Sequence, residues 1–103
     1  MNKLNEFIEI LEQVNVTNLK VYDYENKSPF FDYVIIATAT DRQSNAAIGY
    51  MKQNNLVDLN RVEGRNNSGW VLIDAGDIII HLFTEEQRKY YNFDERLIGI
   101  KQI

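Results

Sequence analysis

At 103 residues and 45% hydrophobic content, the chain has the size of one domain, residues 1–103, with a core of its own. It holds no cysteine, which excludes disulfides and thiolate metal sites, and no apolar run near the roughly 20 residues of a membrane span. A formal charge of −4 disfavours direct nucleic-acid binding, because that affinity comes largely from Lys and Arg displacing counterions; a basic protein partner is electrostatically easier.

The opening "MNKLNEFIEI" lacks the apolar segment of a secretory signal, so a cytoplasmic protein is expected. Residues 3–14 place Leu4, Phe7, Ile8, Leu11 and Val14 at helical spacing, with Glu6, Glu9, Glu12 and Gln13 off that stripe. "LKVYDY", residues 19–24, alternates as a strand with one wetter face, and "ENKSP" breaks it. "FFDYVIIATA", residues 30–39, is nearly continuous apolar sequence rich in β-branched residues, as in a central strand covered on both faces. Thr40 and Gln43 have capping-box spacing and predict a helix running to about "NN" at 54–55. Its inner side is expected to carry Ala46, Ala47, Tyr50 and Met51, and Gly49 weakens it. A strand followed by a helix suggests a crossover to the next strand. "RVEGRNNSG", residues 61–69, reads as a short strand edge and then a flexible turn. "TEEQ", residues 84–87, repeats the capping-box pattern, with Glu85 and Glu86 in the first turn of a helix through "RKYYNF". The expected order is α β β α β β β α.

Between the last two segments lies "WVLIDAGDIIIHLF", residues 70–83, a hairpin that carries three polar groups in apolar sequence. Taking Ala75-Gly76 as a two-residue turn sets Asp74 opposite Asp77, Leu72 opposite Ile79 and Trp70 opposite His81, all on one side of the sheet. Val71, Ile73, Ile78 and Ile80 then form the opposite, core side. The mixed side reads either as ordinary structure, with solvated turn acids and a hydrogen-bonded histidine, or as a working surface with a tryptophan hot spot. A metal site of His81, Asp74 and Asp77 is excluded by reach, since His81 lies about 13 Å along the strand from Asp77 at ~3.3 Å per residue. No cofactor is expected.

The ordered set of residues resembles a known family. "DYVIIAT" with "DRQ", "VEG" before "SGWVLIDAGDIIIHLF", and "EEQRKYY" are similar to the iojap, or ribosomal silencing factor (RsfS), family. The matching positions are Asp32, Tyr33, Thr38, Arg42, Gln43, Glu63, Gly64, Trp70, Asp74, Gly76, Asp77, His81, Phe83, Glu85, Arg88 and Tyr91. The chain departs from the pattern at "TAT" (38–40), in a shortened segment from Gln53 to Arg61, and at "FDERLI", which lacks the closing tryptophan. The resemblance implies an α/β (α+β) domain, a mixed, mostly five-stranded sheet flanked by helices, with nucleotidyltransferase-like topology and no catalytic site. It implies binding to the large ribosomal subunit through its fourteenth protein, on the intersubunit face. Small-subunit joining is then obstructed and translation repressed. Organellar relatives imply an assembly role as the alternative, and family habit implies a second copy of the chain as a partner.

On this reading Trp70, Leu72, Ile79 and His81 form an apolar patch rimmed by Glu63, Asp74 and Asp77, which would meet basic residues of the partner. Arg88 and Tyr91 share a helix face, i and i+3; Arg88 could instead pair internally with Asp74 or Asp77. A nucleotidyltransferase-type enzyme is the other functional class, but fold analogy confers no chemistry and no Gly-Ser phosphate loop opens a helix here.

Overall fold

The computed structural model describes residues 2–65 and 68–103. Helix α1 (Asn2–Gln13) leads into β1 (Thr17–Asp23), β2 (Tyr33–Thr38) and α2 (Asp41–Gln53). After a 3-10 turn at Leu59–Arg61 come β3 (Val62–Glu63), β4 (Trp70–Asp74) and β5 (Ile78–Phe83), then α3 (Glu85–Tyr91), a second 3-10 helix at Phe93–Leu97, and β6 (Lys101–Gln102). The strands form one mixed six-stranded sheet in the order β3-β4-β5-β2-β1-β6. The expected α/β class and flanked mixed sheet are present. The sixth strand is an addition: its two residues pair antiparallel with Tyr22 and Asp23, a long-range pairing with no local signature.

The central strand is where the apolar run placed it. β2 lies parallel to β5 and antiparallel to β1, and Val34, Ile35, Ile36 and Ala37 are all buried. β3 runs antiparallel to β4, which runs antiparallel to β5, so β3 is parallel to β2 and α2 is the expected crossover. The Thr40 capping box forms in full. Thr40 Oγ1 accepts from the Gln43 N–H and the Gln43 side chain accepts from the Thr40 N–H, satisfying two donors that a helix start leaves open. The inner face of α2 is Ser44, Ala47, Ile48 and Met51, whereas Ala46 and Tyr50 are exposed. The correct stripe is rotated by about one residue from the one expected, because the buried ridge follows Ile48 rather than the bulkier Tyr50.

Alternation divides the sheet into two unlike faces. On one, Val21, Ile35, Ala37, Val71, Ile73, Ile78, Ile80 and Leu82 pack against Leu4, Phe7, Ile10 and Leu11 of α1 and against Ala47, Ile48 and Met51 of α2. On the other, Tyr22, Val34, Ile36 and Phe83 are joined by Leu97, with Trp70, Ile79 and Phe93 half-buried around them. The turn expected within 61–69 includes residues 66 and 67, which lie outside the described residues.

The hairpin corrects one expectation. Trp70 faces Phe83, Leu72 faces His81 and Asp74 faces Ile79. The two-residue turn is therefore Gly76-Asp77, not Ala75-Gly76. Two local interactions decide it. The Asp74 carboxylate accepts the Gly76 N–H at 3.0 Å, and the Ala75 N–H donates to the Ile78 carbonyl at 3.0 Å. Gly76, at φ 83°, supplies the positive φ that the first central position of a type II′ turn demands. The two carboxylates do not face each other, so the repulsion between like charges directly across a strand pair does not arise. Moving the turn by one residue shifts the pairing by two, which preserves parity. Trp70, Leu72 and Asp74 still share a face with Ile79 and His81, as expected, and Phe83 joins them.

Candidate protein-docking site

The mixed face is organised around Trp70. Its indole stacks on Phe83, with ring centroids 5.0 Å apart at 26°, and meets Tyr91 at 4.8 Å and Phe93 at 5.9 Å. These contacts depend on how the chain leaves α3. Thr84 caps the helix start by accepting the Gln87 N–H, and Asn92 ends the helix in the left-handed region at φ 48°. That reversal lays Phe93–Leu97 back across the sheet. Phe93 approaches His81 to 4.3 Å between ring centroids.

His81 is consequently inside. It is 8% exposed, and burial pushes its pKa down to about 4, so the ring is neutral at pH 7. The Trp70 Nε1–H donates to His81 Nδ1 at 3.1 Å. The histidine's own proton therefore sits on Nε2, and the indole's only donor is engaged within the protein.

Arg88 is also buried, and its internal partner is Asp94 rather than Asp74 or Asp77. Nε and Nη2 donate to the two Asp94 carboxylate oxygens at 3.2 and 3.0 Å, while Nη1 donates to the Asn18 carbonyl at 2.7 Å and to Thr38 Oγ1 at 3.0 Å. Hydrogen bonds from Arg88, with help from Lys20 at 3.2 Å, hold the Asp94 carboxyl below the usual carboxylate range. This clamp ties α3 and the segment after it to β1 and β2. Asp74 pairs with Arg61 at 2.8 Å, and the Gly76 N–H together with Arg61 holds its carboxyl below the usual range. The exposed Asp77 accepts the N–H groups of Asp32 and Tyr33 through its backbone carbonyl, anchoring the start of β2.

What stays open is a cleft of about 320 Å³ lined by Glu63, Gly64, Ser68, Trp70, Leu72 and Tyr91. Glu63 pairs directly across from Leu72, so both point into it beside Trp70. Gly64 makes the close approach possible. Its φ is 83°, and a Cβ there would lie 2.0 Å from the Trp70 carbonyl oxygen. Ser68 closes the corner by donating to the Gly64 carbonyl at 2.6 Å, with the Trp70 carbonyl also in reach at 2.9 Å. Tyr91 forms the outer wall at 45% exposure, with Tyr90, 77% exposed, packed edge-on against it.

Of the residues singled out from sequence, Glu63, Trp70, Leu72 and Tyr91 thus meet in one cleft. Asp74 and Asp77 lie at the far end of the hairpin, and Ile79 is half-buried between. His81 and Arg88 face inward. Sequence reasoning missed Gly64 and Ser68 as cleft formers and Phe93 and Asp94 as the cover. Only the helix-ending Asn92 hinted at the fold-back.

A family model described as "Ribosomal silencing factor during starvation" matches residues 1–97. The chain belongs to that family. It is 31% identical over 88 residues to the ribosomal silencing factor RsfS of Halalkalibacterium halodurans, covering 82% of this chain and 71% of the relative. It is 38% identical over 77 residues to RsfS of Zymomonas mobilis, covering 71% of this chain but 57% of that relative. The chloroplastic Iojap protein of Arabidopsis thaliana is 30% identical over 94 residues, which are 87% of this chain and 39% of that protein. A crystal structure from Chromobacterium violaceum, 27% identical, superposes with a TM-score of 0.77 over 89% of this chain and 80% of that one. Another, from Bacillus halodurans at 24% identity, shares the fold with a TM-score of 0.74 over 92% and 93%. Among the described residues, no helix is long and apolar enough to cross a membrane, and no cluster of three or more His, Cys, Asp or Glu could hold a metal ion.

Proposed function

We propose that this chain is a ribosomal silencing factor that docks on the large subunit through its fourteenth protein and represses translation by obstructing the small subunit. The observation that carries the reading is the open cleft at Glu63, Trp70, Leu72 and Tyr91, a half-exposed aromatic patch beside a carboxylate on a net acidic protein. Interface hot spots favour such composition, with tryptophan and tyrosine at the centre and charge at the rim. Asp77 and the Arg61-paired Asp74 extend that rim. His81 and Arg88 contribute from within, by fixing Trp70 and Tyr91. The action is occupancy, not turnover, so nucleotide and Mg²⁺ added to the pure protein give no product.

Sedimentation of the purified protein with isolated large subunits tests the reading. Wild-type protein is expected to pellet with the subunits and to reduce their joining to small subunits. Tyr91→Ala, at an exposed position, is expected to weaken co-sedimentation roughly tenfold or more, the size of a hot-spot loss. A wild-type protein that stays in the supernatant at micromolar subunit concentration rejects the proposal.

A further inference from the structure

We infer that the Trp70 cleft is a slot for one arginine side chain of the docked protein. The inference rests on the docking reading above for the identity of the partner, but its chemistry comes from the cleft. The polar side chains lining the cleft are few. The Ser68 hydroxyl is held by the carbonyls of Gly64 and Trp70 and itself accepts the Trp70 N–H at 3.2 Å. The indole Nε1–H is held by His81. The carboxylate of Glu63 is exposed and in no ion pair among the described residues, and Arg61, at the end of the 3-10 turn that precedes β3, is taken by Asp74. Apart from the Tyr91 hydroxyl, then, the cleft offers an incoming group, among the described residues, one carboxylate and aromatic surface.

A carboxylate beside aromatic rings selects a donor that carries positive charge. Aromatic rings attract a cation laid against them, and a guanidinium serves better than an ammonium because it is planar, stacks on rings and pairs with a carboxylate bidentately. Leu72 supplies apolar surface for the methylene stem of the same side chain. An anionic occupant is repelled by Glu63, and a neutral one leaves the carboxylate unused. The net charge of −4 favours a basic partner in the same sense.

Trp70 is the only tryptophan, so its indole N–H gives a single assignable resonance beside the slot. The full chain is titrated with N-acetyl-argininamide, with the isosteric but neutral N-acetyl-citrullinamide, and with N-acetyl-lysinamide. A saturable shift with the arginine derivative, at least fivefold weaker with lysine and absent with citrulline, is expected. Glu63→Gln should weaken the arginine response at least fivefold while leaving the circular dichroism spectrum unchanged, since the residue is exposed and in no ion pair among the described residues. In parallel, Glu63→Gln should weaken large-subunit binding about tenfold, as expected for a lost hydrogen bond to a charged group. No saturable arginine shift, an equal response to citrulline, or indifference to Glu63→Gln overturns the slot. A stronger response to lysine overturns the arginine assignment. A normal arginine titration in a protein that ignores large subunits leaves the slot standing and removes the docking reading; subunit binding with a flat titration does the reverse.

Discussion

The two faces of the sheet share the same strands and differ in the side chains that join the aliphatic ones. Beneath α1 and α2 the contacts are mostly aliphatic, with Phe7 and the half-buried Tyr33 as the aromatic members, and Phe7, Leu11, Ile35, Ile73 and Ile80 are fully buried. Beneath α3 and the segment after it, Val34, Ile36 and Leu97 share the space with aromatic and polar groups: Trp70, Phe83, Phe93, a neutral histidine and a buried arginine pair. The first face is closed by two helices of 12 and 13 residues, the second by a 7-residue helix and a 3-10 turn that leave Trp70 half-covered. The larger core supplies most of the apolar burial. The smaller one uses directional contacts to hold a tryptophan and a tyrosine at a fixed angle on the surface, where pre-organised side chains bind with less entropy loss.

Substitutions can break or sharpen this division. The largest effect belongs to the sealed face. Phe7→Ala should cost about 3–5 kcal/mol in denaturant unfolding, because a fully buried aromatic leaves a cavity. Tyr91→Ala should cost under about 1 kcal/mol by the same measurement, since the side chain is already half in water. Comparable losses at the two positions would mean that the presenting face is as structural as the sealed one.

The next effect singles out the aromatic face. His81 binds its proton near pH 4 when folded and near 6.5 when unfolded. Between those values the unfolded chain holds more protons, so stability falls as pH falls through the window and is fully present only above about 6.5. The shift of ~2.5 units corresponds to a loss of roughly 3 kcal/mol from pH 7 to pH 4. His81→Gln should flatten the curve across that window. The depressed carboxyls of Asp94 and Asp74 act in the same direction, but their stabilisation is lost only as pH falls below about 4. The smallest effect is a gain on the outside of the sealed layer. Gly49 lies mid-helix in α2 with nothing within 4 Å of a built Cβ, so Gly49→Ala should add about 0.5–1 kcal/mol without touching the cleft.

Features that depend on near neighbours were legible in the sequence. The Thr40 and Thr84 caps, the central strand at 33–38 and the common face of Trp70, Leu72, Asp74, Ile79 and His81 all follow from spacing and parity. The exact hairpin pairing was not, because Asp74 capping Gly76 competes with the Ala75-Gly76 turn and the two differ by one residue. Burial of His81 and Arg88 depends on Asn92 turning the chain back, which brings Phe93 and Asp94 over the sheet. Helical spacing put Arg88 and Tyr91 on one face but could not show that one points in and the other out. Glu63 entered as a rim charge, and only the β3–β4 register placed it beside Leu72.

The most direct test of where this protein docks is site-specific photo-crosslinking from its two sides. A benzophenone amino acid replaces Tyr91 at the cleft or Tyr50 on the outside of α2, and each protein is irradiated with isolated large subunits. The account predicts a crosslink from position 91 to a single basic large-subunit protein and none from position 50. Efficient crosslinking from position 50 with none from 91 would place the contact on the opposite side of the molecule and contradict it.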